Sequence, residues 1–177
     1  MTVLPPPELS RTVKLSEIGN SAKTATLLAT EDECTALAKR FDLPSIKSIS
    51  AEYVLKANDE KITFAGTIHS KLQQMCAISG EAFSVTIKEP FNIAFVDKIA
   101  EPENEEEIEL EADDCDLIAI DGNQIDIGEA AAQTLYLALP PYPRGPAADQ
   151  IAAKAGLKSE AEAGPFGVLA ALKDKLG

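Results

Sequence analysis

From Ile46 to Val96 the chain alternates apolar and polar residues with a period of two, and a stretch of that length and pattern folds only as a sheet with one buried face. Ala51, Tyr53 and Leu55 alternate with Glu52 and Lys56, and Ile62, Phe64, Ile68 and Leu72 with Thr63, Thr67, His69 and Lys71. Phe83, Val85 and Ile87 then precede Phe91, Ile93 and Phe95. Asn58-Asp59 and Ser79-Gly80 carry turn chemistry, so the runs are expected to join as antiparallel hairpins. A sheet with one apolar face needs a cover, and helices elsewhere in the chain supply it. The expected fold is α+β: an antiparallel sheet, open or closed into a barrel, under two or three helices.

The flanking segments fit that plan. Leu9, Arg11, Val13 and Leu15 share one face of an N-terminal strand that ends at Gly19-Asn20, and a second short run follows around Thr24 to Leu28. Thr30 and Glu33 have the spacing of a capping box, which starts a helix whose Cys34, Leu37, Ala38 and Phe41 lie on one face and which Leu43-Pro44 stops. Residues 101–116 form an acidic insertion containing Glu105-Glu106-Glu107, whose self-repulsion favours a solvated loop, although Ile108, Leu110 and residues 117–120 admit edge strands beside it. Asp126 and Glu129 repeat the capping spacing. They open a helix with Ile127, Ala131, Leu135 and Leu139 in one stripe, which prolines 140, 141 and 143 convert into an extended segment. Residues 1–146 are therefore expected to be the domain, and 147–177 an Ala/Lys/Glu-rich tail with a short C-terminal helix around Phe166, Leu169 and Leu172.

Charge narrows the functional classes. With 29 acidic against 16 basic residues the net charge is −13, which disfavours broad binding to a phosphate backbone, DNA included, and suits solubility or a basic partner. No apolar run approaches the ~18–20 residues of a membrane span, and the N-terminus lacks a basic start and an apolar core, so a cytoplasmic protein without membrane contact is expected.

Catalytic chemistry finds no foothold. The single histidine, His69, stands on the polar side of a strand with no nucleophile or orienting acid nearby in sequence, and no glycine-rich phosphate loop is present. Three scattered cysteines, Cys34, Cys76 and Cys115, fit neither a disulfide framework nor a zinc site. Where a C-x-x-C knuckle needs a second sulfur after Cys76 the chain has Ser79, so Cys76 is read as a packed thiol. The insertion has no glycine for a calcium loop. No catalytic residue, metal ligand or cofactor is assigned. Tyr142-Pro143-Arg144 is either a partner contact, since a stiff extended piece loses little entropy on docking, or a surface crossing that packs back on the sheet.

Two segments, Met75-Cys-Ala-Ile-Ser-Gly-Glu-Ala-Phe83 and Ile125-Asp-Ile-Gly-Glu129 leading into Leu139-Pro-Pro-Tyr-Pro-Arg144, together resemble the YceD family of large ribosomal RNA accumulation proteins in its alphaproteobacterial form. The resemblance runs from about Leu9 to Lys173 and includes a basic position like Arg11 and the closing residues 165–173. It implies a non-enzymatic factor supporting large-subunit ribosomal RNA accumulation and ribosome assembly. For so acidic a chain, with its run from Glu101 to Asp116, the expected partner is a basic ribosomal protein or an assembly intermediate, with ribosomal RNA contacted indirectly. The alternative is direct RNA binding by the sheet face. Arg11, Cys76, Glu81, Phe83, Tyr142 and Arg144 are the candidate binding residues. Other branches carry a second cysteine three residues after the first and a later cysteine cluster; Ser79 and Tyr142-Pro143-Arg144 stand there, so no zinc role transfers.

Overall fold

The structure, a computed structural model, describes residues 7–58, 61–97 and 116–156. Most of the acidic insertion, Cys115 and the expected C-terminal helix lie outside the described residues. The described chain forms two compact units, the larger drawn from Met1–Gln73 and Ser84–Leu139 and the smaller from Gln74–Phe83 and Pro140–Gly177.

The larger unit is α+β. Strands β2 (Lys23–Leu28), β3 (Ser45–Ala57), β4 (Ile62–Met75), β5 (Ala82–Val96) and β6 (Asp116–Ala119) form a sheet in that order, and the last residues of β4 and first of β5 pass into the smaller unit. Strands β1 (Thr12–Lys14) and β7 (Gln124–Asp126) make a separate antiparallel pair. Helix α1 (Glu31–Arg40) packs on β3, and α2 (Ile127–Leu137) follows β7 directly. Alternation decides which side of the sheet is dry: Ile62, Phe64, Ile68, Ser70, Leu72 and Gln74 are buried, whereas the intervening residues are exposed or half-exposed. Phe64 lies at the centre, with ring centroids 5.1 Å from Tyr53 and 4.7 Å from Phe91.

The sheet departs from the expected wholly antiparallel form, because β6 runs parallel to β5, pairing Ile93 with Asp116 through Val96 with Ala119. Parallel neighbours need a connection of about a dozen residues or more, and residues 97–115 provide one. Among the described residues no pairing joins β2 to β6, so the sheet is open. Pro90 stands within β5, ahead of the stretch paired with β6.

Both helix starts are written in the sequence. Thr30 Oγ1 accepts from the Glu33 N–H and the Glu33 carboxylate from the Thr30 N–H, completing the capping box. Leu37 is fully buried and Cys34, Ala38 and Phe41 nearly so, and each large side chain of this stripe contributes about 1.5–3 kcal/mol. Asp126 caps α2 by accepting from the Gly128 and Glu129 N–H groups, but Glu129 does not return the bond. Its carboxylate instead grips Arg40 of α1 at 2.6 and 2.8 Å, and Arg40 also donates to Glu8 at 2.9 Å. The small residues after the cap explain the close fit of α2: a Cβ at Gly128 would stand 2.6 Å from the Leu9 carbonyl oxygen and 2.7 Å from the Arg11 nitrogen.

Candidate functional site

The smaller unit gathers five of the six candidate residues: Cys76, Glu81, Phe83, Tyr142 and Arg144. The turn after β4 is built by its own backbone. Cys76 N–H donates to the Glu81 carbonyl at 2.9 Å, and Gly80 N–H donates back to the Cys76 carbonyl at 2.9 Å. Gly80 has φ +69°, a conformation that glycine adopts without a side-chain penalty. The Glu81 N–H donates to Ser79 Oγ at 3.2 Å, while the Glu81 side chain faces solvent.

The proline segment ties onto this turn within the same unit. Ala77 N–H donates to the Pro143 carbonyl at 2.8 Å, and Gln74 Nε2 to that of Pro140 at 3.4 Å. Gly145 sits against the Phe83 ring and Cys76 Cβ, so a methyl there would come within 3.2 Å of the ring. Of the two readings open for residues 140–144, docking onto its own turn describes Pro143, whereas Tyr142 is 81% exposed and free to touch another molecule. Arg144 pairs with Asp149 at 2.5 Å, at the start of the short helix α3 (Ala148–Lys154).

Cys76 is buried, as a packed thiol should be, yet its environment is unlike that of Cys34. Burial pushes the Cys34 thiol up. Cys76 is pulled from 9.0 down to about 7, chiefly by the Ser79 hydroxyl and then by the backbone N–H groups of Ser79 and Gly145, against a smaller opposing effect of burial. Ser79 N–H lies 3.4 Å from the sulfur. Ser79 therefore occupies the place of a second knuckle sulfur as a donor to the first. Among the described residues no group of three or more His, Cys, Asp or Glu side chains could hold a metal ion.

A folded-state value near 7 against an unperturbed 9.0 means that the folded chain holds the thiolate before the unfolded chain does. The contribution to stability is complete above about 9, declines as pH falls and is gone below about 7. Amide exchange at residues 76–81 is expected to slow between pH 7 and 9 once corrected for intrinsic rates, and Cys76→Ser, which cannot titrate, is expected to lose that gain. Identical corrected profiles for the two proteins would contradict the arrangement.

Arg11 lies in the larger unit, and its guanidinium is committed internally. It donates to both Glu33 oxygens at 2.6 and 3.0 Å, to the Ser10 carbonyl at 2.7 Å and to the Leu28 carbonyl at 3.1 Å. The pair holds the Glu33 carboxyl down to about 2, mainly through the hydrogen bond from Arg11. This clamp fastens the start of β1 to the end of β2 and the first turn of α1. His69 lies on β4 opposite Ser50, half-exposed on the outer side of the sheet.

Sequence reading missed two features. One is the polarised sulfur, whose signal was the hydroxyl three residues after Cys76. The other is the grouping of lysines on the outer face of the sheet, where alternation turns Lys56, Lys71 and Lys88 outward and a bulge does so for Lys47.

A family model described as large ribosomal RNA subunit accumulation protein YceD matches residues 64–173. That interval begins in β4 and takes in the Cys76 turn, α2 and the proline segment. No curated protein and no solved structure matches the chain.

Proposed function

The chain belongs to the YceD family, its family match covering well over half of the sequence, and from that membership we propose that it supports accumulation of large-subunit ribosomal RNA without catalysing a reaction. The mode we propose is contact with another polypeptide in the cytoplasm, a basic ribosomal protein or an assembly intermediate containing one. The observation that carries this is the family match across both segments of the smaller unit, joined to a net charge of −13. A basic protein gains from such a surface at long range, and the attraction weakens with salt.

On this reading the acidic residues 101–116 attract the partner and the smaller unit gives the contact its shape. Tyr142 stands exposed on a segment stiffened by prolines, beside the Cys76 turn with Glu81 and Phe83, and tyrosine on a preordered backbone is well suited to anchor an interface. Arg11 serves the site only by holding the larger unit together. The closing residues 165–173 are read as the tail of the alphaproteobacterial branch.

Depleting the protein is expected to lower free large subunits relative to small ones in a ribosome gradient. Tagged protein is expected to recover basic large-subunit proteins from nuclease-treated lysate at about 0.1 M salt and to lose most of them at about 1 M, where the screening length falls from roughly 10 to 3 Å. Tyr142→Ala is expected to weaken recovery about tenfold, as loss of an interface anchor does. An undisturbed gradient would remove the process, and recovery only before nuclease treatment would remove the protein-mediated mode.

A further inference from the structure

The outer face of the β2–β5 sheet has the opposite charge to the protein as a whole. Cross-strand partners point to the same side, so the register that buries Ala51 with Ile68 and Leu55 with Phe64 turns Glu52 with Thr67, and Lys56 with Thr63, outward. Lys71 faces out opposite Ser48. The register slips between Ile46 and Ser48, which leaves Lys47 as an extra, exposed residue beside Lys71. On β5 the exposed set includes Lys88. Four lysines thus share this face with one acidic side chain of the paired β3 and β4 rows, Glu52, and among the described residues none of the four forms an ion pair. Lys47 and Lys71 line one shallow groove of about 570 Å³ with Ser45, Gln73, Ser84 and Thr86.

The chemistry selects the occupant. Each arginine of the sequence is already paired with a carboxylate: Arg11 with Glu33, Arg40 with Glu8 and Glu129, Arg144 with Asp149. The free cations on this face are lysines, which meet phosphate as point charges and lack the fork that matches a carboxylate. Around them stand hydroxyls, including Ser48, Ser50, Thr63 and Thr67, suited to phosphate oxygens and ribose 2′-hydroxyls. Thr63 and Lys71 are separated along β4 by about 26 Å at ~3.3 Å per residue, so only an extended polyanion reaches both ends. Among the outward positions of β2 to β5 the half-exposed His69 is the one aromatic ring, and Tyr53 is turned inward against Phe64. A single imidazole falls short of the run of rings on which successive bases of a single strand stack.

We infer that this sheet face of the larger unit binds the phosphate backbone of double-helical RNA, independently of base sequence. The repulsion of the net charge keeps the contact weak and local, which suits a factor that must release its RNA.

Titration of the full chain into a fluorescent RNA duplex of about 16 base pairs, the length shape-reading domains cover, tests this between about 50 and 200 mM salt. Lys47→Glu with Lys71→Glu is expected to weaken binding at least tenfold and to make the slope of log K against log salt shallower by about 1.4–1.8, as two lost phosphate contacts require. Lys47→Gln with Lys71→Gln, gentler on folding, is expected to shift both in the same direction. Equal binding by wild type and either folded variant would overturn the inference, as would tighter binding of the corresponding single strand. Displacement of the duplex by polyglutamate at equal charge would also overturn it, in favour of an acidic polypeptide. Recovery of basic ribosomal proteins from nuclease-treated lysate is expected to be unchanged in both variants, which separates failure here from failure of the protein-mediated reading.

Discussion

Gly66→Ala is expected to lower the stability of the larger unit by about 3 kcal/mol. The reason is space. Gly66 pairs with Tyr53 in the middle of β4, and a Cβ there would overlap the Glu52 carbonyl oxygen and stand 2.8 Å from the Tyr53 Cα. Both are backbone atoms of β3, which cannot turn aside as a side chain would, so the two strands would have to part where the Tyr53 and Phe64 rings meet at 5.1 Å. Phe64 also holds Phe91, so the disturbance would reach β5. Chemical denaturation of the variant is expected to show a lower midpoint with an unchanged slope, the signature of lost stability without a change in compactness. Thr67→Ala on the solvent side of the next residue is the control and is expected to stay within about 0.5 kcal/mol of wild type. A Gly66→Ala protein as stable as that control would show that β3 and β4 are farther apart than the structure has them.

What the sequence disclosed and what it withheld divide along one line. Features set by neighbours in the chain were legible. Thr30 and Glu33 cap α1 as their spacing requires, and Cys34, Leu37, Ala38 and Phe41 bury the expected stripe. The alternation of Ile62, Phe64, Ile68 and Leu72 with Thr63, Thr67, His69 and Lys71 sorts buried from exposed or half-exposed residues correctly, and the burial of the polar Ser70 and Gln74 lies outside it. Features set by distant partners were not legible. Nothing near Asp116 says that β6 lies parallel to β5, because strand direction is set by a partner distant in sequence. Glu129 has the spacing to complete a capping box, yet it bonds Arg40, 89 residues away, since a bidentate guanidinium is the stronger partner for a carboxylate. The lysines are distant in sequence, and only the bulge at Lys47 and the register with β4 set two of them in one groove. For the candidate site, the two segments were recognisable separately. Their union depends on the bond from Ala77 to Pro143 and on the fit of Gly145 under Phe83, which no spacing rule encodes.

The second large effect is expected at Asp126, where Asp126→Ala should cost about 3 kcal/mol. One oxygen of this carboxylate accepts from the Arg11 N–H at 2.8 Å and from the Gly128 and Glu129 N–H groups at 3.0 Å each, and the other from the Ser10 hydroxyl at 2.6 Å. The residue thus caps α2 and at the same time fastens its first turn to the N-terminal segment. There Thr12 pairs with Asp126, and Gly128 leaves no room for a side chain. Loss of the cap alone accounts for about 1 kcal/mol. The remainder comes from half-buried donors left without an acceptor, at about 0.5–1.5 kcal/mol each. Asp126→Asn keeps one oxygen in the capping position and is expected to lose only about 1 kcal/mol, whereas Ser10→Ala tests the second oxygen alone and is expected to lose a similar amount. If the tie matters as much as the cap, Asp126→Ala and Ser10→Ala combined should be no worse than Asp126→Ala alone, since both remove the same bond. A strictly additive double variant would mean that the cap acts by itself and that the N-terminal strand is held by its pairing with β7.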